Sequence, residues 1–297
     1  MDNEKLNAFF KVAFSSIIIT KSGGVSLALD LGHTRPHKAK IASYKSGGEI
    51  HRLSSEQYTK KLGVYLSKSI GSPLVEFERR VSKNLNGLPK TTESKLTPRV
   101  EKGDAQCLPV IDSSVDLIVT SPPYASNAID YMRAHKFSLV WFGYKLKELA
   151  QKRRDYIGGE VTENVHLGNL PPYTTEIISR LHQLDKKKGR VLNRYYSEMT
   201  KVLQEMYRVL KPDKIAVIVV GTSIMRGQNT ETANCLAEIG STLGFDVPAI
   251  ATRNIDRNKR MMPAGSSINQ DSQIQQRMHK EYVIGYHKPG IKSNTKA

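Results

Sequence analysis

The sequence is short of cysteine and of long apolar runs. Its two cysteines, Cys107 and Cys235, are too few for a disulfide framework or a cysteine metal cluster. The longest apolar runs, VAFSSIII and IAVIVV, fall far short of the ~20 residues that span a bilayer. The N-terminus, MDNEKLNAFFKVAF, opens with acidic residues and carries Lys11 in its apolar stretch, which is untypical of a signal peptide. We therefore expect a cytoplasmic protein with reduced thiols, no bound metal and no membrane contact.

Acidic residues are scarce relative to basic ones. The 297 residues include 45 lysines and arginines against 28 aspartates and glutamates, a formal net charge of +17. Such a surplus favours a polyanionic partner, either nucleic acid or an anionic membrane surface. Because the sequence offers no membrane segment, nucleic acid is the expected partner. Apolar residues make up 39% of the chain, which is enough for a globular core.

The first part of the chain, residues 1–98, is predicted to be a basic and mainly helical region. Residues 1–20 have the pattern of an amphipathic helix, and SSEQYTKKLGVYLSKSI (54–70) is predicted to be a second helix capped by Ser55. From Lys21 to Val100 there are fifteen lysines and arginines against six acidic residues. SGG, SGGE and NGLP mark turns between these elements.

From residue 99 to residue 290 the pattern alternates between strands and helices. This alternation is typical of a mostly parallel, doubly wound α/β sheet. A polar insertion is expected at 145–190 and a disordered tail at 291–297. RVEKGDA (99–105) is predicted to be a short strand with its loop. The other predicted strands are VDLIVT (115–120), KIAVIVVG (214–221), VPAIATRNI (247–255) and KEYVIGYHKPG (280–290), and the predicted helices are 129–144, 194–213, ended by Lys-Pro-Asp, and 229–245.

The stretch VDLIVTSPPY (115–124) joins a strand to two prolines. Its apolar and β-branched residues are typical of a strand buried on both faces of a parallel sheet. Pro122 and Pro123 remove two backbone donors and fix φ twice, so neither a strand nor a helix continues through them. The prediction is a stiff, extended loop at the carboxyl end of a strand, where open α/β sheets bind their ligands.

TSPPY after VDLIV resembles the catalytic motif of the amino-methylating DNA methyltransferases. The resemblance implies that the Ser121 side chain and the Pro122 carbonyl accept the hydrogens of an exocyclic base amine, which turns its lone pair towards the methyl donor. Pro123 belongs to the same stiff loop. Tyr124 offers a flat face on which a base flipped out of double-stranded DNA stacks. These four residues are the predicted catalytic set.

The resemblance extends over roughly residues 99–290. GDAQCLPVIDSSVDLIVTSPPY is similar to these enzymes throughout, and it implies that Asp104 and Thr120 contact the cofactor S-adenosyl-L-methionine. A helix cap or a turn is the structural alternative for Asp104. The implied fold is a Rossmann-like S-adenosylmethionine-dependent methyltransferase sheet.

The serine form of the motif is associated with cytosine N4 more than with adenine N6. The implied function is therefore site-specific methylation of cytosine N4, in a restriction-modification system. Adenine-N6 methylation, methylation of an RNA base, and a non-catalytic DNA-binding subunit of a split enzyme remain alternatives, since basic charge does not separate DNA from RNA.

The family's glycine-rich cofactor loop, Phe-x-Gly-x-Gly, has no match in the sequence. In VSLALDLGHTRP (25–36), Asp30 and Gly32 follow an apolar stretch, but no second glycine allows close backbone approach. We therefore expect a sheet that is incomplete at its first strands, with the loop in a second subunit, degenerate at Leu27–Pro36, or lost. An open sheet edge and apolar face would then need a partner.

Basic runs are the candidates for contact with DNA. The insertion at 145–190 has ten lysines and arginines against six acidic residues, with KRR and KKKGR runs. Phosphate contacts of this kind provide affinity without sequence information, and a solvated charged surface is the alternative. The predicted DNA-binding residues are Arg35, Lys38, Arg153, Arg154, Arg257 and Arg260.

Overall fold

The fold is taken from a computed structural model that describes residues 3–18, 25, 42–46, 49–53, 66–69, 71–88, 98–125, 131–159, 168–221, 223–254 and 280–290. The chain divides into two compact units. One comprises Met1–Arg99 and Ile129–Lys152, and the other comprises Val100–Ala128 and Arg153–Ala297. The expected tail at 291–297 and the candidate cofactor loop at 27–36 lie outside the described residues.

Helices of the first unit pack through aromatic side chains. Helix α1 (Asn3–Ile18) confirms the predicted N-terminal helix, and it contacts α2 (Pro73–Asn86) and α3 (Tyr131–Trp141). The ring centroids of Phe14 and Trp141 are 4.4 Å apart, and those of Phe14 and Phe77 are 6.0 Å apart. Helix α2, which begins with a proline at its first turn, was not predicted from the sequence.

A small three-stranded sheet replaces part of the predicted helical region. Strand β1 (Ala42–Ser46) pairs antiparallel with β2 (Glu49–Leu53) and parallel with β3 (Leu66–Ser69). The helix predicted over 54–70 is therefore wrong at its C-terminal end, and residues 54–65 lie outside the description. The serines of LSKS favour a helix only weakly, and pairing with β1 satisfies the backbone groups of β3 instead.

The second unit is built on a four-stranded sheet. Its strands are β4 (Val115–Thr120), β5 (Leu210–Gly221), β8 (Ile250–Asn254) and β9 (Lys280–Lys288), in the order β4-β5-β9-β8. β4 and β5 are parallel, and β9 runs antiparallel to both β5 and β8. The predicted α/β class is confirmed, but the sheet is mixed, since one of its three strand pairings is parallel and two are antiparallel.

Three helices and the sheet share the main apolar core. They are α5 (Pro172–Leu184), α6 (Lys186–Val209) and α7 (Thr232–Thr242), and the hairpin β6 (Ile224–Met225)–β7 (Gln228–Asn229) precedes α7. The largest fully buried side chains include Tyr195 and Tyr196 of α6, Ile218 of β5 and Tyr286 of β9. α6 has its apolar residues at helical spacing, as the sequence predicts.

The boundaries of α6 differ from the prediction at both ends. The helix begins at Lys186, where the Asp185 side chain accepts a hydrogen bond from the Lys188 amide at 3.0 Å. It ends at Val209, and the Lys-Pro-Asp segment predicted to stop it lies inside β5. The pairing register jumps here, from Val115 opposite Leu210 to Leu117 opposite Ile215. This irregularity accommodates Pro212, which has no amide to donate to the ladder.

The polar stretch at 145–190 is largely helical. It contains α4 (Leu146–Asp155), α5 and the first turn of α6, while residues 160–167 lie outside the description. The KKKGR run is therefore the start of the main core helix. Glu238 of α7 accepts hydrogen bonds from the amides of Tyr173 and Thr174, which places a carboxylate at the N-terminus of α5.

Candidate active site

The SPPY segment follows β4 directly, as predicted. Thr120 is the last residue of the strand, and Ser121 to Tyr124 form an irregular loop without cis peptide bonds. Ser121 is exposed, Pro122 is buried, and Ala125 is only 2% exposed within the apolar core. The loop is thus anchored on both sides of Tyr124 by buried residues, while Ser121 faces solvent.

The loop lies at an edge where several strands contribute residues. Thr120 pairs with Ile218, which places the carboxyl ends of β4 and β5 on the same side of the sheet. Gly221, the last residue of β5, pairs with Glu281 at the start of β9, and Glu281 pairs with Arg253 near the end of β8. The carboxyl ends of β4, β5 and β8 and the amino end of β9 therefore lie at one edge of the sheet, together with the SPPY loop. Open α/β sheets bind their ligands at such an edge.

Tyr124 contacts this edge through its hydroxyl group. The hydroxyl donates to Glu281 Oε1 at 3.3 Å, and Glu281 Oε2 accepts from Arg253 Nε at 3.1 Å. The Glu281 side chain is 17% exposed, whereas that of Arg253 is 67% exposed. The hydrogen bond with Glu281, followed by its negative charge, raises the pKa of Arg253. Sequence reasoning missed Glu281, because nothing in the local pattern of β9 relates it to a residue 157 positions away.

Asp104 lies in a turn, at the position where the sequence predicts a loop. Its Oδ1 accepts from the Gln106 amide at 2.9 Å, and its carbonyl oxygen accepts from the Cys107 amide at 3.0 Å. The short strand predicted at the start of RVEKGDA is wrong: described residues 98–103 are irregular, and only an isolated bridge joins Asp104 to Cys107. The Asp104 side chain organises the turn in the manner of an Asx turn, and the residue is exposed.

The segment between Asp104 and β4 is fastened to α6. Arg208 donates to the carbonyl oxygens of Leu108 at 2.9 Å and of Val110 at 2.8 Å. Glu205 accepts from the Leu108 amide at 2.7 Å and from the Arg208 guanidinium at the same distance. The hydrogen bond from Arg208, with that from the Leu108 amide, lowers the pKa of Glu205 to about 2. This clamp, formed by Glu205 and Arg208, fixes the position of the segment that precedes β4.

One face of β4 is open. Leu117 and Val119 are 54% and 67% exposed, although the sequence predicts a strand buried on both faces. Ile118, which points to the opposite face, packs against the core together with Val115. The prediction of two buried faces is therefore wrong, because the described part of the chain places the core on only one side of this strand.

The predicted DNA-binding residues are only partly described. Arg154 is exposed near the end of α4, and its carbonyl oxygen accepts from buried Arg194 at 2.8 Å. The backbone of Arg153 is in the same helix, but its side chain lies outside the description. Arg35, Lys38, Arg257 and Arg260 also lie outside the described residues. Contact with DNA stays a prediction for all six.

The described residues contain no group of three or more histidine, cysteine or acidic side chains arranged to hold a metal ion. Cys107 is exposed and Cys235 is buried, and both are free thiols. Within the same residues, none of the helices has the length and apolar character needed to cross a membrane.

The segment that contains β4 and the SPPY loop matches a known protein family. A family model described as DNA methylase matches residues 115–295, which is more than half of the chain and begins at β4. The chain belongs to this DNA methylase family. It is also 22% identical over 291 residues to the type II methyltransferase M.MvaI of Kocuria varians, in an alignment that covers 95% of this chain and 60% of that protein.

Two solved structures are similar to part of this chain. A structure named as a DNA modification methylase of Thermus thermophilus has a TM-score of 0.33 and 18% identity, covering 65% of this chain and 54% of that one. A SAM-dependent methyltransferase from Methanosarcina mazei has a TM-score of 0.30 and 14% identity, covering 76% of this chain and 84% of that one. The chain thus spans 60% of the Kocuria relative and 54% of the Thermus protein.

Proposed function

We propose that the chain is the catalytic part of a DNA methyltransferase that transfers a methyl group from S-adenosyl-L-methionine to an exocyclic base amine. The observation that supports this most directly is the SPPY loop. The loop follows β4 at the sheet edge where the carboxyl ends of β4, β5 and β8 lie beside the start of β9. It lies inside the segment that matches the DNA methylase family.

The chemistry requires two acceptors close to each other. The lone pair of a base amine is delocalised into the ring, so the amine becomes nucleophilic when its hydrogens are held out of the ring plane. The exposed Ser121 hydroxyl is one acceptor in this proposal, and the Pro122 carbonyl is the other. The Pro122–Pro123 peptide has no N–H, and both rings restrict the backbone, so the carbonyl is rigidly presented.

Tyr124 is proposed as the stacking surface for the base turned out of the duplex. Its side chain is half-buried, its hydroxyl donates to Glu281, and an aromatic ring offers a flat face on which a base can stack. S-adenosylmethionine supplies the methyl group when it is bound. Asp104, exposed in its turn, and Thr120, at the end of β4, are proposed to contact this cofactor.

Cytosine N4 is the proposed target atom, within a type II restriction-modification system. The serine at position 121 supports cytosine by resemblance, since aspartate is usual in the motif of adenine-N6 enzymes. The relative from Kocuria varians, named as a type II methyltransferase, supports the restriction-modification context. Double-stranded DNA is the proposed partner and the cytoplasm the proposed location.

Mass spectrometry of methylated nucleosides tests the assignment. Duplex DNA and structured RNA are incubated with S-adenosylmethionine and with the chain purified from its natural host together with any bound second subunit, then digested. We expect N4-methylcytosine in DNA from the wild type, and none from Tyr124→Ala, which keeps the wild-type melting curve. N6-methyladenine would move the target to adenine, and methylated RNA would move the substrate to RNA. Turnover by the folded Tyr124→Ala variant would refute the role of the loop.

The exposed side of the sheet supports a further part of this proposal, namely that a partner segment packs against β4. Leu117, Val119 and Ile215 lie on one face of β4 and β5 and are 54%, 67% and 48% exposed. Their neighbours on the opposite face, Ala216 and Ile218, are fully buried. In the described residues β4 also pairs with only one strand, which leaves its other edge for pairing. An apolar strand with both an exposed face and an unpaired edge is typical of a protein–protein interface.

The proposed occupant is a βα segment that carries the glycine-rich cofactor loop and lies outside these 297 residues. Two observations favour it over other partners. No segment of this sequence has the Phe-x-Gly-x-Gly pattern, whereas the resemblance of the SPPY segment implies such a loop for S-adenosylmethionine. The relative from Kocuria varians is longer, since the alignment covers 60% of it. A strand of this segment would pair with β4, and its helix would cover Leu117 and Val119.

Calorimetry separates this arrangement from its alternatives. The purified chain, titrated with S-adenosylmethionine, is expected to show no binding while its melting curve shows a folded protein. The affinity-tagged chain, purified from its natural host, is expected to retain a polypeptide with the glycine loop, and this assembly binds the cofactor. Micromolar binding by the chain alone would overturn the arrangement and favour Leu27–Pro36 as a degenerate loop. Duplex binding without methylation by the assembly would favour a non-catalytic subunit.

A further inference from the structure

Tyr124, Glu281 and Arg253 form a continuous hydrogen-bonded chain across three parts of the second unit. The Tyr124 hydroxyl donates to Glu281 Oε1 at 3.3 Å, and Glu281 Oε2 accepts from Arg253 Nε at 3.1 Å. Each carboxylate oxygen therefore serves a different partner. The contact joins the loop after β4 to the start of β9 and the end of β8, elements separated by more than a hundred residues from that loop.

We infer that Glu281, held by Arg253, is a positioning residue that fixes the ring of Tyr124 for stacking against the target base. The inference rests on the proposed role of Tyr124. Arg253 and Glu281 are a directly paired cross-strand couple, so the ladder itself brings the guanidinium to the carboxylate. The planar guanidinium donates two hydrogens, from Nε and from Nη2, to the same oxygen, which holds the carboxylate orientation.

Burial makes the Glu281 carboxylate a better anchor than a surface side chain. Its side chain is 17% exposed, against 67% for Arg253, so its rotamer is restricted by the protein around it. The phenolic oxygen lies on the χ2 axis of tyrosine, so the hydrogen bond fixes χ1 and the position of the ring axis. It restrains the ring plane through the preference of the phenolic O–H for that plane. Because Ser121 lies only three residues before Tyr124, the orientation of the ring also sets where the base amine meets the Ser121 hydroxyl and the Pro122 carbonyl.

The proposed role of Glu281 is to position Tyr124 and not to act as an acid or a base in the reaction. Glu281 touches the phenolic hydroxyl, which is at the tip of the ring and not on the face against which a base would stack. Its loss should therefore leave phosphate contacts intact and alter only how the base is held. A displacement of about 1 Å at a reacting centre lowers rates up to ~100-fold. The expected signature is a fall in kcat with little change in KM for DNA.

A base-stacking assay tests the inference without requiring turnover. The probe is a duplex with a fluorescent cytosine analogue opposite an abasic site, so that the base is already free to leave the stack. Wild-type protein at saturation is expected to quench the emission, and Tyr124→Ala to lose the quench. Tyr124→Phe and Glu281→Ala are expected to lose most of it, with unchanged duplex affinity, because the ring is present but its hydrogen bond to residue 281 is lost.

Two further variants separate positioning from general damage to the fold. Glu281→Gln keeps a group that hydrogen-bonds the tyrosine hydroxyl, so it is expected to recover most of the quench. The double variant Tyr124→Phe/Glu281→Ala is expected to resemble each single variant, because both remove the same hydrogen bond. In the methylating assembly, kcat of Tyr124→Phe and Glu281→Ala is expected to fall about 10- to 100-fold.

The outcomes distinguish the inference from the function on which it rests. Full quench by Tyr124→Phe and Glu281→Ala, with none by Tyr124→Ala, would overturn the positioning role and leave stacking intact. Additive losses in the double variant would also overturn it, since the two side chains would then act separately. Absence of quench by the wild type would overturn both the stacking role of Tyr124 and the inference.

Discussion

Arg208 and Glu205, one turn apart on α6, form an ion pair at 2.7 Å that also holds the chain leading into β4. Glu205 accepts from the Leu108 amide at 2.7 Å, and Arg208 donates to the Val110 carbonyl at 2.8 Å. The pair thus serves two purposes at once. It satisfies the hydrogen bonds of backbone groups in an irregular segment. It also fixes the position of that segment, which leads into β4 and the SPPY loop.

The first prediction concerns the pH dependence of this clamp. The pKa of Glu205 is lowered from 4.5 to about 2 by Arg208 and the Leu108 amide. A depressed pKa in the folded state stabilises the protein above the ordinary value, and this contribution is lost as the pH falls from about 5 towards 2. Urea denaturation at several pH values should show this loss in the wild type.

Glu205→Gln is the control for that prediction. It removes the titrating group and should lower the free energy of unfolding by about 1–3 kcal/mol at pH 7. Between pH 5 and 2, its stability should fall less than that of the wild type. Parallel curves for the two proteins over this range would mean that Glu205 does not titrate with folding.

The second prediction compares two Arg–Glu pairs with different burial. Arg194 and Glu198 are 5% and 11% exposed, and together they bind the backbone of residues 154–159. Arg194→Met leaves the Glu198 carboxylate buried without its charge partner and should cost about 3–5 kcal/mol. Urea denaturation with a two-state fit measures this cost.

The exposed pair Glu176–Arg180 on α5 is its matched control. It has the same residue types and the same helical spacing, but its side chains are 55% and 61% exposed. Arg180→Met should cost less than about 0.5 kcal/mol, because water and salt screen such a pair. Similar costs for the two substitutions would show that burial does not set the contribution of these pairs.

The third prediction concerns close packing between α7 and β9. A Cβ atom added at Gly240 would lie 2.3 Å from Cε1 of buried Tyr286, so Gly240→Ala should destabilise the protein by about 1–3 kcal/mol. Gly285, next to Tyr286 on the strand, meets nothing within 4 Å, and Gly285→Ala should be nearly neutral. Thermal melts of both variants test this, and an equal loss in both would contradict it.

The fourth prediction concerns the open face of β4. Val119→Lys should leave the free energy of unfolding within about 0.5 kcal/mol of the wild type, because the side chain is 67% exposed. It should also prevent the proposed cofactor-loop segment from binding. Ile118→Lys, on the face that packs against the core, should cost about 2 kcal/mol or more. Urea denaturation and co-purification measure the two effects.

A stable assembly that retains its second polypeptide in the Val119→Lys variant would place the interface elsewhere. A large loss of stability in that variant would instead mean that this face is already covered within the chain.

The sequence by itself determined the elements whose signals are local. The apolar run of VDLIVT and the two prolines after it define β4 and its end, since proline carries its restriction wherever it is placed. The apolar spacing of α6 and the β-branched run of β5 are likewise intrinsic to their residues. The SPPY motif was visible for the same reason.

Only the tertiary structure decided which partners these elements meet. LSKS became β3 because β1 pairs with it, Lys-Pro-Asp entered β5 because an irregular register accepts a proline, and one face of β4 stayed open. Glu281 reached Tyr124 only because β9 inserts between β5 and β8. The physical reason is that propensity acts over a few neighbouring residues, whereas pairing, burial and side-chain hydrogen bonds join groups that are distant in the chain.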